Sequence, residues 1–274
     1  MALDRIETCF ATCKAEQRAA LGIFISAGDP DQATSTELLL GLPEAGADFV
    51  ELGMPFSDPM ADGPVIQAAS LRAIKAGITL DKVLDMASQF RAKHPHVPLI
   101  LMGYFNPIYI YGVDRFLDAA TDAGVDGLIM VDLPPEEDTE LCVSATNKGM
   151  AFIRLITPTT DDKRMPVVVK NASGFVYYVS ITGITGSGRA SADSIANAMT
   201  HIRGFTGLPA VVGFGIKHPD HVREAGQHAD GVVVGSAVVS IIADNLGDDG
   251  IAAPDTAEKA FALVRDLRTG TSRL

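Results

Sequence analysis

The chain has 274 residues, of which 47% are hydrophobic and 20% charged, and a formal net charge of −12. That length and apolar content suit one large α/β barrel. The acidic balance argues against a nucleic-acid partner, whose phosphates call for a basic patch, but leaves open phosphorylated metabolites, which backbone amides can hold.

No charged-then-apolar stretch opens the sequence, so no secretory signal is expected. No apolar run approaches the ~20 residues that span a bilayer. Cys9, Cys13 and Cys142 lack the neighbouring His or second Cys pair of a metal set. They are expected as reduced thiols in a cytoplasmic protein.

In chain order, helical spacing of Leu3, Ile6, Phe10 and Cys13 predicts a helix over residues 3–19, ahead of the first strand and able to cover one end of a barrel. Residues 21–26 form the first apolar strand. Ala27-Gly28-Asp29-Pro30 is a turn, and Thr34 or Ser35 opens a helix that runs to 45 and ends at Gly46. The pattern then repeats. Strands are expected at 48–52, 98–104, 127–131, 151–155, 175–180, 210–213 and 231–234. Helices are expected at 65–76, 113–123, 135–148, 163–171, 191–203 and 219–225, with an apolar stretch at 237–242 and a last helix at 255–268.

These strands are continuous apolar runs, as expected where both faces of a parallel sheet are covered. Eight of them, each followed by a helix and with no low-complexity linker, favour a single (β/α)8 barrel with an extra N-terminal helix, one domain over residues 1–274. A doubly wound sheet is the rival. It more often carries a glycine-rich dinucleotide turn after the first strand, which Ala27-Gly28-Asp29-Pro30 is not.

Reacting groups in such barrels sit at the C-terminal strand ends. One stretch there stands out: Glu51-Leu52-Gly53-Met54-Pro55-Phe56-Ser57-Asp58-Pro59-Met60-Ala61-Asp62-Gly63-Pro64. It holds three carboxylates, three prolines and two glycines in fourteen residues. An acid at the end of a buried strand is costly without a task or a partner. The prolines restrict the loop, so Glu51 and Asp62 can face one pocket. A capped surface loop with solvated acids is the plain alternative.

Glycines cluster after the last three strands, in Gly183-Ile184-Thr185-Gly186-Ser187-Gly188, Gly213-Phe214-Gly215 and Gly235-Ser236. There they let backbone N–H groups converge on an anion, and Gly235-Ser236 opens a short helix. Loops after strands seven and eight are where barrels commonly hold phosphate, although each turn alone is compatible with simple tight turning. Between the acids and this cradle lie Phe24, Met102, Ile129, Tyr177 and Phe214, able to sandwich a flat apolar ring or to serve only as core. No Lys ends strand six and no His ends any strand, so neither a Schiff-base nor a metal-dependent aldolase is favoured. Carboxylate acid–base chemistry remains.

The Glu51–Pro64 string, with Gly28-Asp29-Pro30, Gly46-Ala47-Asp48, Asn106-Pro107, Asp132-Leu133-Pro134, Gly183-Ile184-Thr185-Gly186 and Gly213-Phe214-Gly215, resembles the tryptophan synthase alpha chain family over nearly the whole chain. The resemblance implies a lyase of tryptophan biosynthesis that cleaves indole-3-glycerol phosphate to indole and glyceraldehyde 3-phosphate. It implies that Glu51 moves protons to indole C3 and from the glycerol hydroxyl, and that Asp62 accepts a hydrogen bond from the indole N–H. A Glu in an apolar barrel mouth is expected to carry a proton near neutral pH, and Asp62, on a wetter loop, to stay ionised. Tyr177 is expected beside Glu51 or substrate, Thr185 as a loop residue ordering Asp62, and Gly186, Gly215, Gly235 and Ser236 as phosphate contacts. The resemblance also implies a β subunit that carries pyridoxal phosphate and receives the indole, in an α2β2 tetramer, with no cofactor or metal in this chain. Asp58 and the loops at Asn106-Pro107 and Asp132-Leu133-Pro134 are the expected contact. Ile181 stands where some members carry a basic residue, which leaves a charged latch on that loop in doubt.

Overall fold

A strand buried on both faces needs helices outside it and side chains filling the space within. The computed structural model, which describes residues 2–180, 191–213 and 215–273, has both. Strands β1 (Ala20–Ser26), β2 (Phe49–Gly53), β3 (Leu99–Gly103), β4 (Gly127–Met130), β5 (Ala151–Ile156), β6 (Val176–Val179), β7 (Ala210–Gly213) and β8 (Gly231–Val234) pair in parallel, each with the next. β8 returns to β1 through Ala20↔Gly231 to Ile23↔Val234, closing the barrel.

Around it lie α1 (Ala2–Ala15), α2 (Gln32–Ala45), α3 (Pro64–Lys75), α4 (Leu80–Lys93), α5 (Phe105–Tyr111), α6 (Val113–Asp122), α7 (Cys142–Asn147), α8 (Met165–Val169), α9 (Ala192–Arg203), α10 (Pro219–Gly226), α11 (Ser236–Asp244) and α12 (Thr256–Arg268). Local chemistry sets their ends. The Asp31 carboxylate accepts from the Thr34 N–H at the start of α2, and Gly46 stops that helix at φ 117°. Gly63 and Pro64 open α3, where a missing N–H costs nothing.

Four elements depart from the sequence-derived pattern. α4 and α5 have no counterpart in it, although α4 has a Thr79 cap and buries Val83, Leu84, Ala87 and Phe90 at helical spacing. The helix expected over 135–148 is two pieces, a 3-10 turn at Pro135–Glu140 and α7, broken at Leu141, whose ψ of −46° comes with an extended φ of −149°. The helix expected over 163–171 is only the five-residue α8.

The barrel interior is a layered apolar plug. At the N-terminal end Phe10 of α1 meets Phe49 and Phe175, with ring centroids 5.5–5.9 Å apart, so α1 does cover that end. Gly22 is required there, because a β-carbon on it would come within 2.3 Å of the Phe49 ring. A repeated device pins the same end. The first free N–H of every odd strand is taken by a side chain just ahead of the next strand: Leu21 by Asp48 at 2.8 Å, Leu99 by Asp126 at 2.7 Å, Phe152 by Ser173 at 2.9 Å and Ala210 by Asp230 at 3.0 Å. Asp126 is fully buried and also takes Arg5 at 2.6 Å and Arg91 at 2.5 Å. Removing one partner of such a group leaves a buried charge exposed to a loss of roughly 3–5 kcal/mol. These pins lie at the N-terminal rim, opposite the strand ends where such barrels carry their chemistry.

Candidate active site

Glu51 is on β2, and side chains alternate along a strand. Phe49, Glu51 and Gly53 therefore turn into the barrel, while Val50 and Leu52 pack outward under the helices. The register sets Glu51 level with Phe24 of β1 and Ile100 of β3. Its side chain is 1% exposed, and neither Oε1 nor Oε2 has a hydrogen-bond partner. Nothing offsets the cost of charge there, so burial alone pushes its carboxyl up to about 8. Across the barrel, burial and then the charge of Glu51 hold the Tyr177 phenol well above its ordinary range.

Asp62 sits on the loop from β2 to α3. Its N–H donates to Pro59 O at 3.0 Å, and Gln67 Nε2 donates to its carbonyl at 2.8 Å. Burial pushes its carboxyl up to about 6, opposed by a hydrogen bond from the Tyr104 hydroxyl. Burial thus raises both carboxyls, Glu51 further than Asp62, and Asp62 is less wet than expected from a loop position.

A narrow cleft at this rim is lined by Phe24, Ser26, Gly53, Asp62, Met102, Tyr104 and Val131, among others. Phe24 and Met102 line it with Asp62, and Glu51 and Tyr177 do not. Ile129 is paired with Met102 in the register and is fully buried beneath, so the wall at the end of β4 comes from Val131, two residues on. Tyr104 and Val131 are absent from the sequence-derived site. Tyr104 has a visible signal, a polar-tipped ring at a strand end, but its link to Asp62 joins residues 42 apart and has no local pattern.

The described late glycines, Gly213, Gly215 and Gly235, lie at or just past the C-terminal ends of β7 and β8 on the same rim. Gly215 has a left-handed φ of 78°, and Gly235 and Ser236 open α11. Gly235 is also packed on Phe24, where an added β-carbon would come within 3.2 Å of the ring's own Cβ. Phe24 thus joins the acid side to the glycine side. The Ser180 hydroxyl donates to Gly213 O at 2.9 Å and ties the ends of β6 and β7 together. Thr185, Gly186 and Phe214, with Ile181 and the rest of the loop after β6, lie outside the described residues. Among the described residues no group of three His, Cys, Asp or Glu side chains converges as a metal set would.

The family model for the tryptophan synthase alpha chain matches residues 10–268. The tryptophan synthase subunit alpha of Legionella pneumophila str. Paris is 38% identical, with a TM-score of 0.87 over 97% of this chain and 97% of its own. A protein from Aquifex aeolicus VF5 is 36% identical, with a TM-score of 0.88 over 98% of this chain and 99% of its own. The tryptophan synthase of Mycobacterium tuberculosis is 30% identical, with a TM-score of 0.87 over 98% of each chain.

Proposed function

This chain belongs to the tryptophan synthase alpha chain family, and from that premise we propose that Glu51 and Asp62 are the pair that carries its reaction. The reaction is the retro-aldol cleavage of indole-3-glycerol phosphate to indole and glyceraldehyde 3-phosphate. Breaking the bond at indole C3 requires the ring to accept a proton at that carbon and the side-chain hydroxyl to lose one. A buried glutamic acid that holds its proton near neutral pH suits the first step, and the carboxylate it becomes suits the second. Electrons from the O–H bond form the aldehyde, and those of the C–C bond return to the ring. Positive charge developing at the indole nitrogen is met by ionised Asp62, which accepts the N–H.

Phe24, Met102, Tyr177 and Phe214, with Val131 at the place expected for Ile129, are proposed to pack the ring, and Gly186, Gly215, Gly235 and Ser236 to hold the phosphate through backbone N–H groups. Thr185 is proposed to order Asp62 once the substrate is in place. The whole chain is taken as one working barrel unit. The observation that carries the proposal is the Glu51 side chain, 1% exposed with both oxygens unpartnered. A buried acid left in that state is destabilising, so its retention is best explained by use. Glu51→Gln keeps the shape and removes the titrating proton. Substrate binding should persist and indole release should cease; turnover at the wild-type rate would refute the assignment.

The partner is proposed to be a β subunit that carries pyridoxal phosphate and takes up the indole, in an α2β2 assembly. Support comes from exposed apolar side chains adjoining the expected contact segments in sequence: Met60 (77% exposed), two residues past Asp58, and Tyr109 (65%) and Ile110 (77%), on α5 with Asn106-Pro107. Exposed apolar side chains of this size suit a protein partner. We place the enzyme in the cytoplasm. Its cysteines are free, and among the described residues no helix is long and apolar enough to cross a membrane.

A further inference from the structure

Asp62 lies on a loop, and a loop does not by itself hold a carboxylate in one place. Something from the barrel wall has to reach it. Tyr104 follows the last residue of β3 and is 3% exposed. Its ring lies against Phe56, with centroids 5.4 Å apart. Its backbone is fixed from the far side, because the N–H of Phe105 donates to Asp132 Oδ1 at 2.9 Å. Its hydroxyl accepts the N–H of Ala61 at 3.0 Å. That bond occupies a lone pair and leaves the hydroxyl proton free to turn toward the neighbouring Asp62, which lines the same cleft as Tyr104.

We propose that Tyr104 is a positioning residue for the reaction: one hydroxyl, held by the Ala61 N–H and donating to Asp62, anchors the catalytic loop to the barrel and aims the carboxylate at the indole nitrogen. The proposal rests on Asp62 being the indole-facing acid. A tyrosine suits the task better than a serine or threonine. Its hydroxyl is carried far from the strand on a rigid ring whose body fills apolar space. Among the described residues the other hydrogen bonds of Asp62 run through its backbone, to Pro59 and Gln67. Tyr104 is therefore the side chain placed to fix the carboxylate itself.

The link also explains the balance of the carboxyl. Burial raises it, and donation from Tyr104 restrains the rise. The titratable groups on the elements around Asp62 are Tyr104 at the end of β3, Asp58 on its own loop, Glu51 on β2, and Asp132 after β4, whose charge bears on Tyr104. The donor among them is Tyr104, so deleting its hydroxyl should leave the rise unrestrained.

The test is a 13C NMR titration of the resting protein labelled at aspartate carboxyls, with the Asp62 resonance assigned by its loss in Asp62→Asn. In Tyr104→Phe the Asp62 midpoint should move upward. kcat for indole release should fall roughly ten- to a hundredfold, the loss expected for a hydrogen bond to a charged group, with KM little changed. 3-Fluorotyrosine incorporated at position 104 keeps the ring and fold and strengthens the donor, so the midpoint should move downward. An Asp62 midpoint unmoved by both changes would overturn the proposal, whatever happens to activity. A fully active Asp62→Asn would instead sink the assignment of Asp62 while leaving the titration link intact.

Discussion

Gly213 at the end of β7 stands directly against the hydroxyl of Tyr177 on β6: a β-carbon at position 213 would overlap that oxygen. The register confirms the closeness, with Tyr178 paired to Val212 and Val179 to Gly213. Tyr177 is buried and held off its neighbours on that side by the missing side chain, so the glycine sets where the phenol sits.

Gly213→Ala therefore has to move Tyr177. Adding a methyl to a packed core typically costs 1–3 kcal/mol, and here the strain falls on a ring beside Glu51. We expect a folded protein, with a melting temperature a few degrees lower, whose indole release drops by about tenfold or more. Tyr177→Phe in the same background should recover part of the loss, since the clash is with the hydroxyl. Parallel rate and melting measurements on the two variants check this.

The pH dependence follows from the two carboxyls. Glu51 must hold its proton, which it loses as pH rises through about 8. Asp62 must be ionised, which fails as pH falls through about 6. A plot of kcat/KM against pH should be bell-shaped between these limbs. In Asp62→Asn the acid limb should vanish along with most of the activity, and the alkaline limb should remain.

Stability should carry the same signature with an uncommon sign. For an acid raised by burial the folded state binds more protons than the unfolded chain, so stability falls as pH rises. Glu51 goes from 4.5 to about 8, a window over which its ionisation withdraws on the order of 5 kcal/mol. Asp62 adds a smaller loss of the same sign between 3.8 and about 6. Urea unfolding of the wild type should weaken from pH 5 to pH 8, and Glu51→Gln should remove most of that slope.

The exposed apolar side chains make a separate prediction. Ile110 and Tyr109 lie on α5, away from both carboxyls, and are largely exposed. Ile110→Asp combined with Tyr109→Asp should leave the indole release of the isolated chain unchanged. It should weaken association with a tryptophan synthase β subunit by at least tenfold in a titration followed by calorimetry.

Much of this molecule is readable from its residues. The strands are legible because burial on both faces forces unbroken apolar runs such as Leu99-Ile100-Leu101 and Val232-Val233-Val234. Glu51 stands out because acids are rare where strands are that apolar, whereas Asp62 lies in the loop beyond, among prolines and glycines. The pinning of odd strands leaves a trace in Gly46-Ala47-Asp48, Gly124-Val125-Asp126 and His228-Ala229-Asp230, but which N–H each Asp takes depends on a neighbouring strand 20–27 residues away. The same is true of Tyr104 and Val131, whose roles arise only when loops from different strands meet. The break at Leu141 has no proline or glycine at the residue itself, so periodicity runs straight through it.

The central claim is that Glu51 stores a proton at neutral pH, and difference infrared spectroscopy between the wild type and Glu51→Gln reads it directly. We predict a protonated-carboxyl band near neutral pH that fades as pH rises through about 8, the carboxylate bands growing in its place. A Glu51 carboxylate already ionised at pH 6, with no protonated band to lose, would contradict the account.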